Sequence, residues 1–301
     1  MEGLECQSCG ARLELEADQR TGRCLYCGSP QVIERPPQEG RPNPTFVLPF
    51  EVLPAKALEE ARAFVKGSFW SPGAFRRAPV EDVRGVYLPA YLYTAAFDAE
   101  YRVDIGERYT VQTRGRDGKT KTEVKTEWCS LRGRYTAWST DEVVTASRGV
   151  PNELLESVEP FLLGKLQRYR PDLVSGWASE EPSLTPEACR ELARQEVSDQ
   201  AERRIAAFLP GDEQRGLEAC TSVSDEHLEP LLVPVWTLPV RYPREAPEAQ
   251  QKLVRLLVNG QTGKVSAKRP ISWLKVSLAV LLGLAVVGGI VAAVVIGSGG
   301  M

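Results

Sequence analysis

Four cysteines near the start of the chain have the type and spacing of metal ligands. Cys6-Gln7-Ser8-Cys9-Gly10 is followed, after a 14-residue insert, by Cys24-Leu25-Tyr26-Cys27-Gly28. A C-x2-C pair brings two thiolates to one ion from a single tight turn, and Zn²⁺ favours four tetrahedral ligands of this kind. The glycine after each second cysteine permits the backbone geometry that aims amide N–H groups at sulfur. The pattern predicts a closed, structural Zn²⁺ site on Cys6, Cys9, Cys24 and Cys27. Two disulfides are the competing use of the same residues. Met1-Glu2-Gly3-Leu4-Glu5 has neither the basic start nor the apolar run of a secretion signal, which argues against them. A catalytic zinc keeps one position open and draws on His or carboxylate ligands, and His227 is the only histidine in the chain.

Other residues offer weaker chemistry. Cys129, Cys189 and Cys220 are expected to be reduced and mostly buried. His227, in Ser224-Asp225-Glu226-His227, could serve as a base. No nucleophile motif accompanies it, so a solvated loop histidine is expected. Gly260-Gln261-Thr262-Gly263-Lys264 lacks the G-x4-G-K-[ST] spacing of a phosphate loop and reads as a hairpin turn. Lys119, Lys121 and Lys125, with Arg114 and Arg116 across a turn, could meet anionic lipid headgroups. Glu123 and Glu127 interrupt that face. No catalytic residue is assigned.

The elements that must carry these residues follow from periodicity. The insert holds Arg12-Leu13-Glu14-Leu15-Glu16, which alternates like a strand. Residues 31–46, with Pro36, Pro37, Gly40, Pro42 and Pro44, read as a semi-rigid linker. An amphipathic helix is predicted over 54–66, one or two strands over 84–104, a hairpin over 109–128 around Asp117-Gly118, and a strand over 135–146. Residues 151–167 read as partly helical. Thr185-Pro186-Glu187 is a helix start, with the helix running to about Leu209. Strands are predicted over 231–242 and 252–258. Val86-Tyr87-Leu88-Pro89-Ala90-Tyr91 echoes Leu231-Leu232-Val233-Pro234-Val235-Trp236, which suggests two related sheet units. Proline in a strand points to an edge or a bulge.

The 301 residues are 43% hydrophobic and 26% charged with net charge −3, which excludes a disordered chain and offers no global attraction to nucleic acid. Residues 276–296 carry no charge, enough for a helix of roughly 30 Å, and predict a C-terminal transmembrane helix. Gly289 and Ala293 form a small-xxx-small pair on which a homodimer could pack. Lys264, Lys268, Arg269 and Lys275 precede the span, so the bulk of the chain is expected in the cytoplasm on a single-pass anchor. The expected fold is α+β: a zinc ribbon over 1–30, a linker over 31–46, a mixed sheet-and-helix domain over 47–270 and a membrane helix over 273–296.

The order of several islands supports a resemblance. After the cysteine knuckles come Pro49-Phe50, Phe69-Trp70-Ser71-Pro72, Gly85-Val86-Tyr87-Leu88-Pro89, Leu232-Val233-Pro234-Val235-Trp236 and Leu257-Val258-Asn259-Gly260-Gln261-Thr262-Gly263-Lys264-Val265. The chain resembles uncharacterised bacterial membrane proteins with a transcription-factor-IIB-type zinc ribbon, often labelled primosomal protein N′ (replication factor Y). The resemblance implies a zinc ribbon, a globular middle and membrane association, with no established activity. The helicase-like label does not carry over, because the nucleotide-binding motifs it needs are missing from the sequence. The expected function is that of a non-enzymatic scaffold or adaptor, with a protein partner on the ribbon and the lipid bilayer on the C-terminal helix. The alternatives are a membrane-tethered nucleic-acid or replication factor and an enzyme of unrecognised class. The ribbon's acids, Glu2, Glu5, Glu14, Glu16 and Asp18, outnumber Arg12, Arg20 and Arg23 and disfavour nucleic acid.

Overall fold

A computed structural model describes residues 2–8, 10–15, 24, 26, 32–35, 43–114, 120–247 and 250–298, with backbone only for 2–4, 13–15, 32–35 and 290–298. In chain order the strands and helices are β1 (Glu2–Cys6), β2 (Arg12–Leu15), β3 (Val32–Arg35), β4 (Phe46–Val47), α1 (Pro54–Gly67) and α2 (Gly73–Arg76). Then come β5 (Arg84–Arg114), β6 (Thr120–Thr145), α3 (Asn152–Glu156), β7 (Gln167–Arg168), α4 (Pro171–Val174) and β8 (Ala178–Glu181). The chain continues through α5 (Pro186–Phe208), β9 (Glu213–Tyr242), β10 (Lys252–Asn259), β11 (Val265–Ala267) and α6 (Trp273–Ser298). Among the described residues all eleven strands join one sheet, ordered β11-β10-β9-β5-β8-β2-β1-β3, with β6 on β5, β4 on β9 and β7 on β4.

Three strands dominate. β5, β9 and β6 run for 31, 30 and 26 residues, several times the usual ~5–6. β5 lies in the middle, antiparallel to both neighbours, and together they make a long ribbon. Its length follows from alternation. Tyr91, Tyr93, Ala95, Phe97, Ala99 and Val103 all point to one face and are buried there against Cys189, Ala193, Val197, Ala201 and Ile205 of α5. Those helix residues recur every four positions and form one stripe. The Thr185 hydroxyl caps the helix by accepting from Ala188 N at 3.3 Å.

The two echoing segments pair with each other. Tyr87 stands opposite Pro234, Leu88 opposite Val233 and Pro89 opposite Leu232. Either side of this centre the same events recur. β8 runs parallel to β5 at Val86 and Tyr87, just before Pro89, and β6 begins at Ala90. β4 runs parallel to β9 at Leu231 and Leu232, just before Pro234, and β10 begins at Val235. The Pro89 carbonyl accepts from Ala146 N at 2.9 Å and the Pro234 carbonyl from Gly260 N at 2.9 Å. A strand residue points N–H and C=O to the same side. Each missing proline N–H therefore faces the place where one neighbour strand ends and another begins, where no ladder bond is lost. The chain is thus two βαββ units, β4-α1-β5-β6 and β8-α5-β9-β10, about a pseudo-two-fold axis through Leu88 and Val233. Each unit lends its first strand to the other. α1 also crosses over: Ala57, Ala61 and Val65 are buried among Trp236, Leu238, Val240, Leu256 and Val258.

Two parts of the expected architecture are corrected. The N-terminal segment is not a ribbon apart from the main sheet: β2 pairs with β8, and β3 lies inside the stretch read as a linker. Cys6 and Cys24 are buried in the central core cluster with Leu88 and Val233. Among the described residues no group of three or more His, Cys, Asp or Glu side chains is placed to hold a metal ion. With β2 paired to β8, the separate zinc ribbon of the expected fold is withdrawn; Cys9 and Cys27, two of the four expected ligands, lie outside the described residues. The expected transmembrane helix is corrected as well. Among the described residues no helix is long and apolar enough to cross a membrane. The single-pass membrane location that rested on it is withdrawn. Residues 54–66 and 252–258 form the predicted helix and strand within one residue of the expected ends.

Candidate functional site

The cysteine corner is built where the N-terminal hairpin meets β8. Gly10 N donates to Cys6 O at 2.7 Å and Cys6 N to Ala11 O at 2.9 Å, which closes a tight turn. Gly10 sits at φ +75°, a left-handed conformation that glycine adopts without steric cost. Gly149 packs against this turn so closely that an added Cβ would lie 2.7 Å from the Ala11 Cβ. Behind it Glu180 is buried, with Ser147 Oγ donating to its Oε1 at 2.5 Å and the Tyr26 hydroxyl also donating to it. Burial pushes its carboxyl up to about 7, against these hydrogen bonds, which favour the ionised form. The corner buries two thiols, Cys6 and Cys24, in the same core cluster.

The outer face of the ribbon, opposite α5, is polar along its length. Arg134 Nε donates to Asp98 at 2.7 and 2.6 Å. Ser130 Oγ donates to Asp104 at 2.5 Å, and Arg215 lies 3.5 Å from the same carboxylate with its guanidinium 3.9 Å above the Trp128 ring. The Arg134 hydrogen bonds hold Asp98 below the usual carboxylate range, and the Ser130 hydroxyl does the same for Asp104. Between these pairs the register places Arg102 directly opposite Arg132 on one side and Glu218 on the other. Like charges placed opposite one another repel. They border an open concavity of about 700 Å³ with Glu100, Tyr101, Arg134 and Cys220. Both signs are interspersed on this face.

A third cluster had no sequence signal. Glu142 of β6, Glu156 of α3, Glu159 just after α3, and Glu196 of α5 converge beside the ribbon. Glu142 accepts from Gln200 Nε2 at 2.6 Å and Ser139 Oγ at 2.8 Å, and Glu156 accepts from Asn152 Nδ2 at 2.8 Å. Burial, then the hydrogen bond and charge of Glu156, push Glu196 up to about 9; burial and the neighbouring acids push Glu159 to about 7. Glu142, the Glu156 and Glu159 pair, and Glu196 come from three separate parts of the chain, and each has the look of an ordinary surface residue.

The remaining candidates are scattered. His227 is exposed on β9 opposite Thr94, a strand residue rather than a loop one. Cys189 is buried, and burial raises its thiol to about 12, whereas Cys129 and Cys220 are exposed. Lys264 donates to Glu159 O at 2.6 Å, within a turn held by Asn259 Oδ1, which accepts from Gln261 N and Thr262 N. Lys121 and Lys125 lie on β6 near the ribbon tip with Arg114 across from Thr120; Arg116 and Lys119 fall outside the described residues.

No family model matches the chain, and no solved structure matches it. It is 26% identical over 249 residues to the uncharacterized protein YdjG of Bacillus subtilis (strain 168), covering 79% of this chain and 67% of that protein.

Proposed function

We propose that the protein is a non-enzymatic scaffold or adaptor that offers protein partners the outer face of its ribbon. The carrying observation is Arg102 opposite Arg132 in an open concavity, on a face where Arg134 pairs with Asp98 and Arg215 with Asp104. A rigid three-stranded sheet backed by α5 presents this face with little ordering cost on binding. Its mixed signs suit a protein surface better than a polyphosphate backbone, which needs clustered positive charge. Partner capture on the full chain and on R102E/R132E tests the reading. A partner bound by the first and lost by the second, with unchanged circular dichroism, is expected. Identical partner sets would refute it.

Zn²⁺ belongs to this reading as a structural ion on Cys6, Cys9, Cys24 and Cys27. Its support is the donor set, the burial of Cys6 and Cys24 in one cluster and the glycine turn that follows Cys6. When bound, the ion would fasten the N-terminal hairpin to itself; the chain's own contacts through β2 and β8 already orient that hairpin on the sheet.

A further inference from the structure

Beyond Gly106, the last residue of β5 that β9 accompanies, the ribbon narrows to a two-stranded hairpin. Its pairs run from Glu107 opposite Glu127 to Arg114 opposite Thr120. Among the described residues β6 pairs only with β5, so its outer edge is open along the tip. An open edge is a template for another strand, and an isolated two-stranded hairpin is marginal in water. Lys121, Thr122, Glu123, Val124, Lys125 and Glu127 are all exposed, Val124 by 63%.

This stretch is its own complement. Laid antiparallel against a second copy about Val124, it sets Lys121 opposite Glu127 and Glu123 opposite Lys125, each twice by symmetry. Thr122 meets Thr126, and Val124 meets its own copy. Every charge finds its opposite on the same face, and the one apolar residue lies at the centre. No other register centred on residues 121–127 does this: a shift of the centre to Glu123 or Lys125 sets Lys121 or Glu127 against its like. Opposite charges directly across an antiparallel pair stabilise it, and like charges destabilise it. Within the chain Glu107 already faces Glu127. A lysine on the other flank of Glu127 relieves that repulsion. We propose that residues 121–127 of β6 pair antiparallel with the same residues of a second copy, forming an isologous two-fold dimer through the ribbon tip. The dimer is independent of what the outer face binds.

The test uses V124C in the full chain, which places one thiol beside its symmetry mate, with the unsubstituted chain as control for Cys129 and Cys220. A disulfide-linked dimer should form under mild oxidation in V124C alone. K121E/K125E turns the segment all-acidic and E123K/E127K turns it all-basic. In either background the V124C cross-link should fall at least about tenfold, as four attractive pairs become repulsive. An equimolar mixture of the two should restore it, because every pair is then opposite in sign. The substituted side chains are exposed, and circular dichroism confirms folding of each variant. Equal cross-linking in all backgrounds, or no recovery on mixing folded variants, would overturn the proposal. So would sedimentation of the unsubstituted chain as a monomer at every attainable concentration.

Discussion

Glu196 shows how burial sets a residue's chemistry. Its Oε2 is shut off from water without a hydrogen-bond partner, and Glu156, Glu142 and Glu159 crowd it. Both effects favour the protonated form, so its folded pKa of about 9 stands well above the ordinary 4.5. The folded state then holds a proton that the unfolded state releases. Its contribution to stability is full below about pH 4.5 and falls as pH rises towards 9. Urea midpoints measured between pH 5 and 9 should decline. E196Q, neutral at every pH, should flatten that decline and raise the midpoint at pH 8; an unchanged slope would show that Glu196 is ionised throughout. None of this was readable in the sequence. The four acids come from three separate stretches of the chain, and only the docking of α3 and α5 against β6 unites them. The Thr185 cap was readable, because a hydroxyl acts on a backbone N–H three residues away.

At the scale of elements, legibility tracks the core. The helix over 54–66 and the strand over 252–258 each bury a periodic apolar face, and both stand where expected. β5 and β6 were read as separate strands and a hairpin. They are continuous through one β5–β6 ladder, and the sequence hid this because alternation fades past Val103, where both faces meet water. The early part of β9 carried only Leu217, Ala219 and Val223 as a weak alternating signal. β2 was legible as a strand through Arg12-Leu13-Glu14-Leu15-Glu16, but not as part of the main sheet, since the β2–β8 pairing joins residues far apart in sequence. That junction gives the metal its test. Elemental analysis of reduced, purified chain should find one Zn²⁺ per molecule, lost in C6S. Chelation should speed amide exchange in β1 and β2 while β5 and β9 stay protected. Purified chain without metal would rule the ion out.

For the molecule as a whole, the pseudo-two-fold matters more than the net charge of −3. The echo around Pro89 and Pro234 was visible in the sequence; the exchange of β4, β8 and α1 between the units was not, because it depends on which strand each end meets. Three core clusters mix residues from both units. Unfolding of residues 43–270 by denaturant should therefore be one cooperative transition, with coincident curves from tryptophan fluorescence and circular dichroism. Two separated transitions would mean the units are independent domains.

The crossed strands carry a consequence for how such a chain can be cut and rejoined. A break near Gly149 leaves two fragments, each holding a strand and a helix whose partners lie in the other. Alone, the fragment with α1 has no strands beneath that helix, and the fragment with β9 has lost its central neighbour. Mixed, each supplies what the other lacks. The architecture is that of a covalently tethered handshake, and it should tolerate loss of the tether far better than loss of either hand.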